Sequence, residues 1–178
     1  MFFPLRGVAS VDVFTDASGF FGCGGVLMSS HWFNFAWPEF WATVDISVKE
    51  LVPVVVAAAL WGRFWYRTHV CFHSDNTAVV AMLTSGTGST PAAQHLLRCL
   101  YFYTALFQFD YTAEHVPGVE NVAADALSRN NIVLFSSLIK QASRTQIPTV
   151  LVELLVTRQP DWGSPTWTRL FTSTLPRR

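Results

Sequence analysis

Four carboxylates stand in or beside apolar segments of a chain that is poor in charge. Asp16 ends one apolar run and Asp75 ends another, Glu50 opens an apolar helix, and Asp125 lies in the short run Ala123–Leu127 with no basic residue before Arg129. A buried, isolated carboxylate is costly, and an oxygen-seeking cation is one way to hold several together. Four such groups suit two Mg²⁺ ions roughly 3.5–4 Å apart, one activating a water and the other stabilising the leaving oxygen of a phosphodiester. Each residue also has a plain structural reading. Asp16 suits the start of the turn before Ser18-Gly19, Glu50 a capping partner of Ser47, Asp75 a helix N-cap and Asp125 a polar position on a helix. Spacing alone does not join the four.

Elements that bring them together can be read from the pattern. Residues 8–37 read as a meander of three short strands: Val11, Val13 and Thr15 alternate up to Asp16, the glycines of Gly22–Met28 suit close backbone approach, and Trp32–Trp37 precedes Pro38. Ser47-Val48-Lys49-Glu50 fits a capping box with Ser47 as N-cap, opening an apolar run to Tyr66 that should be central and covered on most sides. Pro53 should remove one backbone bond from that helix. Val70–Ser74 reads as a buried strand, followed by a helix over Thr77–Leu83 and a loop over Thr84–Thr90. Gly86-Thr87-Gly88 lacks the Lys-Ser/Thr of a phosphate loop and reads as a connection between helices. Pro91 opens a helix to Phe107, Gln108–His115 alternates as a fifth strand, and Asn121 caps a helix over Val122–Ser128. The order βββαβααβα describes an α/β fold with a mixed sheet and helices on its faces. Residues 131–178 change character: Ile132–Ser143 reads as helical, Gln159–Pro165 as loop, and the whole as an appended segment.

Bulk properties narrow the class. The 178 residues fit one domain and a tail, and with 51% hydrophobic residues against 13% charged the chain can bury a substantial core. The longest clean apolar run, Leu51–Trp61, falls short of the roughly 20 residues a bilayer helix needs, so no membrane partner is expected. Met1–Arg6 shows no signal-peptide pattern. Cys23, Cys71 and Cys99 are odd in number, widely spaced and in apolar sequence, with no CxxC or Cys/His zinc pattern. They read as buried thiols of an intracellular protein, cytoplasmic or nuclear. Residues 1–130 hold six Lys/Arg against ten Asp/Glu, whereas residues 131–178 hold six basic residues against Glu153 and Asp161. An acidic amino-terminal part argues for weak independent nucleic-acid binding or for acidic residues that hold metal. Trp32, Trp37 and Trp41 are mostly core candidates, with an exposed stacking residue among them as the alternative.

Thr15-Asp16-Ala17-Ser18-Gly19, Glu50-Leu51, Ser74-Asp75-Asn76 and the block His115–Arg129 occur in an order and spacing that resemble a known family. Together they look like the ribonuclease H domain that follows reverse transcriptase in LTR-type and DIRS-like retroelements. The last block, H-x-P-G-x-x-N-x-x-A-D-x-L-S-R, is the most specific. The match covers residues 8–130 well and the tail loosely. This resemblance implies a five-stranded mixed sheet, its first three strands antiparallel, with helices on both faces. It implies an endonuclease that cuts the RNA strand of an RNA–DNA hybrid, with Asp16, Glu50, Asp75 and Asp125 as catalytic metal ligands. Two Mg²⁺ ions are the implied cofactor, with Mn²⁺ as a substitute. Asp16 would bridge both ions, and Glu50 would lie toward the RNA 2′-hydroxyl, the group that distinguishes RNA from DNA.

Three departures accompany the match. Many cellular ribonucleases H place a histidine after the glycine of the last block, where this chain has Val119, and His115 reads as a strand residue. Residues 84–98 hold a single basic residue, Arg98, so a basic hybrid-gripping loop has no counterpart. No polymerase domain precedes Met1, so the chain reads as a fragment or remnant whose partner would be a reverse transcriptase domain encoded elsewhere. Two alternatives to the nuclease are a catalytically weak or inactive co-opted remnant that binds nucleic acid or protein, and another nuclease of the same superfold such as an integrase or resolvase.

Overall fold

The computed structural model describes residues 10–148 and Leu151. The expectations for Met1–Arg6, for residues 8 and 9 as the start of the first strand, and for the loop Gln159–Pro165 lie outside the described residues.

Strands β1 (Ser10–Ala17), β2 (Gly22–Leu27) and β3 (His31–Ala36) form the expected antiparallel meander. Strand alternation splits β1 between two faces. Val11, Val13 and Ala17 enter the larger core, and Phe14 joins the smaller one on the other side. β4 (His69–Ser74) lies parallel to β1, and β5 (Asp110–His115) lies parallel to β4. Among the described residues the sheet has six strands where five were expected, in the order β5-β4-β1-β2-β3-β6. The sixth, β6 (Ser143–Arg144), pairs with the edge of β3 through bonds from the Ser143 amide to the Ser30 carbonyl (2.8 Å) and from the Thr145 amide to the Trp32 carbonyl (2.7 Å). An open strand edge offers unpaired amides and carbonyls, and these two residues meet part of that demand. The helix expected over Ile132–Ser143 therefore ends early: α5 spans Ile132–Leu138, and Ile139 turns extended.

Helix α1 (Ile46–Trp61) begins two residues before the expected start. Its N-cap is Asp45, whose carboxylate accepts from the Ser47 amide (2.8 Å) and from the Ser47 hydroxyl. Ser47 is thus inside the helix, and Glu50 is not its capping partner. α1 runs through Pro53 and is buried without interruption from Val48 to Ala58, with the sheet on one side and α3 on the other. Each fully buried Val or Leu there contributes about 1.5–3 kcal/mol of apolar transfer. α2 (Thr77–Ser85) ends at Gly86, whose φ of 69° suits a left-handed C-cap and extends the helix two residues beyond expectation. α3 (Pro91–Phe107) starts at its proline, as expected, with the Thr90 side chain accepting from the Ala93 amide. Gln108 closes it at φ 55°, so β5 starts at Asp110 rather than Gln108. α4 (Val122–Ser128) lies across β1 and β2 on the face opposite α1, where Phe135 of α5 packs with Val26, Ala126 and Leu127. No helix among the described residues is long and apolar enough to cross a membrane.

Candidate metal centre

β1 and β4 run side by side in parallel with Phe14 opposite His73. Two residues further on, Asp16 and Asp75 therefore lie at the same end of the sheet, where ligands of α/β sheets commonly bind. α1 brings Glu50 to that end as well. One carboxylate oxygen from each of Asp16, Glu50 and Asp75 lies within 4.8 Å of the others. Asp16 and Glu50 are buried, and Asp75 is partly exposed. Asp75 is not the N-cap of α2: Asn76 takes that role, accepting from the amides of Ala78 and Val79, which leaves the Asp75 carboxylate to the cluster. The Pro117-Gly118 turn closes against it, since a Cβ on Gly118 would sit 3.3 Å from Asp75 Oδ2.

Asp125, the fourth expected member, stands outside this triad. Its Oδ1 accepts from Arg129 Nε at 2.6 Å. It is nevertheless close enough to raise the pKa of both Asp16 and Glu50. Two features set α4 beside the triad. Gly24, the register partner of Asp16, admits the helix, because a Cβ there would lie 2.3 Å from Leu127 Cβ. Asn121 precedes the helix as expected, but its side chain does not cap it; Nδ2 donates instead to the Thr15 carbonyl at 3.0 Å, tying α4 to β1.

The electrostatics follow from crowding. Burial pushes the Glu50 carboxyl up to about 9, with the charges of Asp16 and Asp75 adding to it and a bond from the Ala17 amide pulling the other way. Burial likewise lifts Asp16 to about 6, against the Ser128 hydroxyl, with Asp75 and Asp125 adding repulsion. Glu50 Oε2 is buried with no hydrogen-bond partner among the described residues. An oxygen-only donor set that repels itself and holds an unpartnered buried oxygen fits a hard divalent cation.

Several neighbours were not singled out from the sequence. Lys49 is almost fully buried, and its Nζ donates to the Gly19 carbonyl at 2.7 Å, fastening the β1–β2 turn to α1. A lysine in an otherwise apolar helix was the available signal. That turn exposes Phe20 and Phe21, whereas the tryptophans expected as stacking candidates are not among the exposed large side chains. Trp41 is buried and stacks on Trp37 with centroids 5.0 Å apart, while Trp32 packs against Phe135. Val119 is exposed at the Pro-Gly turn, and His115 ends β5 as a strand residue.

The crystal structure of RNase H1 from the halophilic archaeon Halobacterium salinarum NRC-1 is similar over 71% of this chain and 98% of its own, with a TM-score of 0.52 at 17% identity. The fold is that of ribonuclease H. The N-terminal RNase H domain of a Mycobacterium tuberculosis protein, solved as a fusion with maltose-binding protein, shares the ribonuclease H fold over 68% of this chain and 98% of its own, with a TM-score of 0.50 at 18% identity. No protein-family model and no curated protein matches the sequence.

Proposed function

We propose that this chain is a retroelement-derived, ribonuclease H-type endonuclease that hydrolyses the RNA strand of RNA–DNA hybrids. The observation that carries this reading is the convergence of Asp16, Glu50 and Asp75 from β1, α1 and the end of β4, with a buried unpartnered oxygen among them, on a ribonuclease H fold. In this reading Asp16 is the central ligand, Glu50 and Asp75 flank it, and Asp125 completes the set when it turns from Arg129. Two divalent ions, Mg²⁺ or Mn²⁺ in its place, would supply the charge that activates an attacking water and balances the leaving 3′-oxygen. The protein's own part is to hold the carboxylates converged, to keep Glu50 dry beneath the sheet end, and to pin the neighbouring turn through Lys49.

The reading assigns this chemistry to residues 8–130, with 131–178 appended, and places the protein in the cytoplasm or nucleus, where its three free thiols stay reduced. A reverse transcriptase domain is the proposed partner, supplying substrate grip that an acidic domain lacks. Incubation with RNA–DNA hybrid, DNA duplex and single-stranded RNA of one sequence tests the assignment: only the RNA of the hybrid should be cut, and equal cutting of DNA duplex would point to an integrase- or resolvase-like nuclease.

A second reading, a remnant that binds without cutting, is favoured by the Arg129 clamp on Asp125. Hybrid binding with no cleavage in either metal, by folded protein at high concentration, would select it.

A further inference from the structure

His69, Cys71 and His73 alternate along β4 and share one face of the sheet, together with Asp12 of β1 and with Thr112 and Glu114 of β5, which the strand registers place alongside. Cys71 stands in apolar sequence, and strand pairing gives it polar neighbours: its thiol meets Thr112 and Glu114 and lies near Asp12. This part of the face is open, with Thr112 and Glu114 exposed and the Asp12 side chain half-exposed.

We propose that Asp12, Cys71 and His73 form a second metal site, suited to Zn²⁺ or a cation of similar softness and independent of the proposed nuclease centre. One ligand atom from each of the three lies within 4.8 Å of the other two. The imidazole is already aimed: His73 stacks on Phe14 with centroids 4.4 Å apart and planes 15° from parallel, and its Nε2 meets Asp12 Oδ1 at 2.8 Å. Among the described residues that contact is the ring's one side-chain hydrogen bond, since the buried Nδ1 has no partner there. Ligands about 2.0–2.3 Å from a tetrahedral zinc stand roughly 3.3–3.8 Å from one another, within the 4.8 Å that bounds these three atoms. Glu114 or a water completes four-coordination.

The donor chemistry separates the two sites. Nitrogen, sulfur and a single carboxylate favour a borderline-soft ion, whereas the oxygen-only triad favours Mg²⁺. Asp16 lies four strand positions beyond Asp12, about 13 Å of chain. On binding, the Cys71 thiol gives its proton to solvent and a sulfur–metal bond forms. The His73 ring proton shifts from Nε2, where it meets Asp12, to Nδ1; the freed Nε2 lone pair binds the metal, and Asp12 exchanges its hydrogen bond with His73 for the metal.

Co²⁺ titration of the full chain reads this directly, because a thiolate–cobalt bond adds a near-ultraviolet charge-transfer band and tetrahedral geometry adds visible absorption. One equivalent should produce both, Zn²⁺ should abolish them, and millimolar Mg²⁺ should not. Cys71→Ser should remove the ultraviolet band, and Asp12→Asn, at a half-exposed position that folding tolerates, should weaken binding at least about tenfold. Asp16→Asn should leave the spectrum unchanged. Cys99→Ser should leave it unchanged too, although Cys99 lies 3.4 Å from His95. No charge-transfer band from the folded chain, a band that survives Cys71→Ser, or an affinity indifferent to Asp12→Asn would overturn the proposal.

Discussion

Arg129 grips Asp125 across one helical turn, Nε to Oδ1 at 2.6 Å, and so holds the fourth carboxylate apart from the three that converge. Both side chains are more than a third exposed, and such pairs contribute roughly 0.2–1 kcal/mol. Releasing Asp125 therefore needs little energy. Arg129→Gln should tighten Mg²⁺ binding by roughly two- to fivefold, measured by calorimetric titration, because an ion no longer competes with the guanidinium. An unchanged or weaker affinity would mean that Asp125 is not a ligand.

Glu50 is the most strained member of the cluster without metal, buried among like charges with one oxygen unpartnered. Glu50→Gln removes the ionisable carboxyl and keeps the shape. In EDTA at pH 8 the variant should melt higher than wild type by several degrees, at about 2–4 °C for each kcal/mol in a chain of this size. Added Mg²⁺ should raise the wild-type Tm and leave the variant's unmoved. A variant that melts lower in EDTA would show that Glu50 stabilises the metal-free fold.

The pH dependence has a definite sign. Asp16 and Glu50 hold their protons more tightly folded than unfolded, at about 6 and about 9 against ordinary values of 3.8 and 4.5. Their contribution to stability is complete below about pH 4 and is lost as pH rises through the folded values, because the unfolded chain ionises first. The metal-free Tm should therefore fall between pH 4.5 and 9 when other titrations are subtracted by comparison with an Asp16→Asn, Glu50→Gln double variant. Mg²⁺ should raise Tm more at pH 9 than at pH 6, since the ion then displaces fewer protons. Parallel curves for wild type and double variant would contradict this assignment.

Gly24 is where α4 packs closest on β2, and a methyl there would meet Leu127 Cβ at 2.3 Å. Gly24→Ala should destabilise the fold by about 1–3 kcal/mol, in the range of core overpacking, as read by urea unfolding. It should weaken Mg²⁺ binding as well, because Asp125 moves with its helix. A variant as stable as wild type would mean that α4 sits further from β2.

The elements were legible where the pattern is long or punctuated. The apolar run of α1, the proline that opens α3 and the alternation of β1 each specify their local structure, and all are found. What was hidden depends on competition or on pairing. Asp45 outcompetes Ser47 for the start of α1 because its carboxylate satisfies both the amide and the hydroxyl of that serine. β6 is two residues long and carries no periodicity, so only the open edge of β3 defines it. Within the site, the strand-end carboxylates were visible, and Arg129 four residues after Asp125 was a readable i,i+4 pair. The polar surroundings of Cys71 were not, since Asp12 lies 59 positions earlier and meets it only through parallel register.

The most direct test of the central claim is cleavage of an end-labelled RNA–DNA hybrid in Mg²⁺ or Mn²⁺, by wild type and by Asp16→Asn side by side. The account predicts RNA fragments ending in 3′-hydroxyls from wild type, none from the variant, and none from either protein in EDTA. Cleavage that survives Asp16→Asn or EDTA, or no cleavage by a wild-type protein that Mg²⁺ demonstrably stabilises, would contradict it.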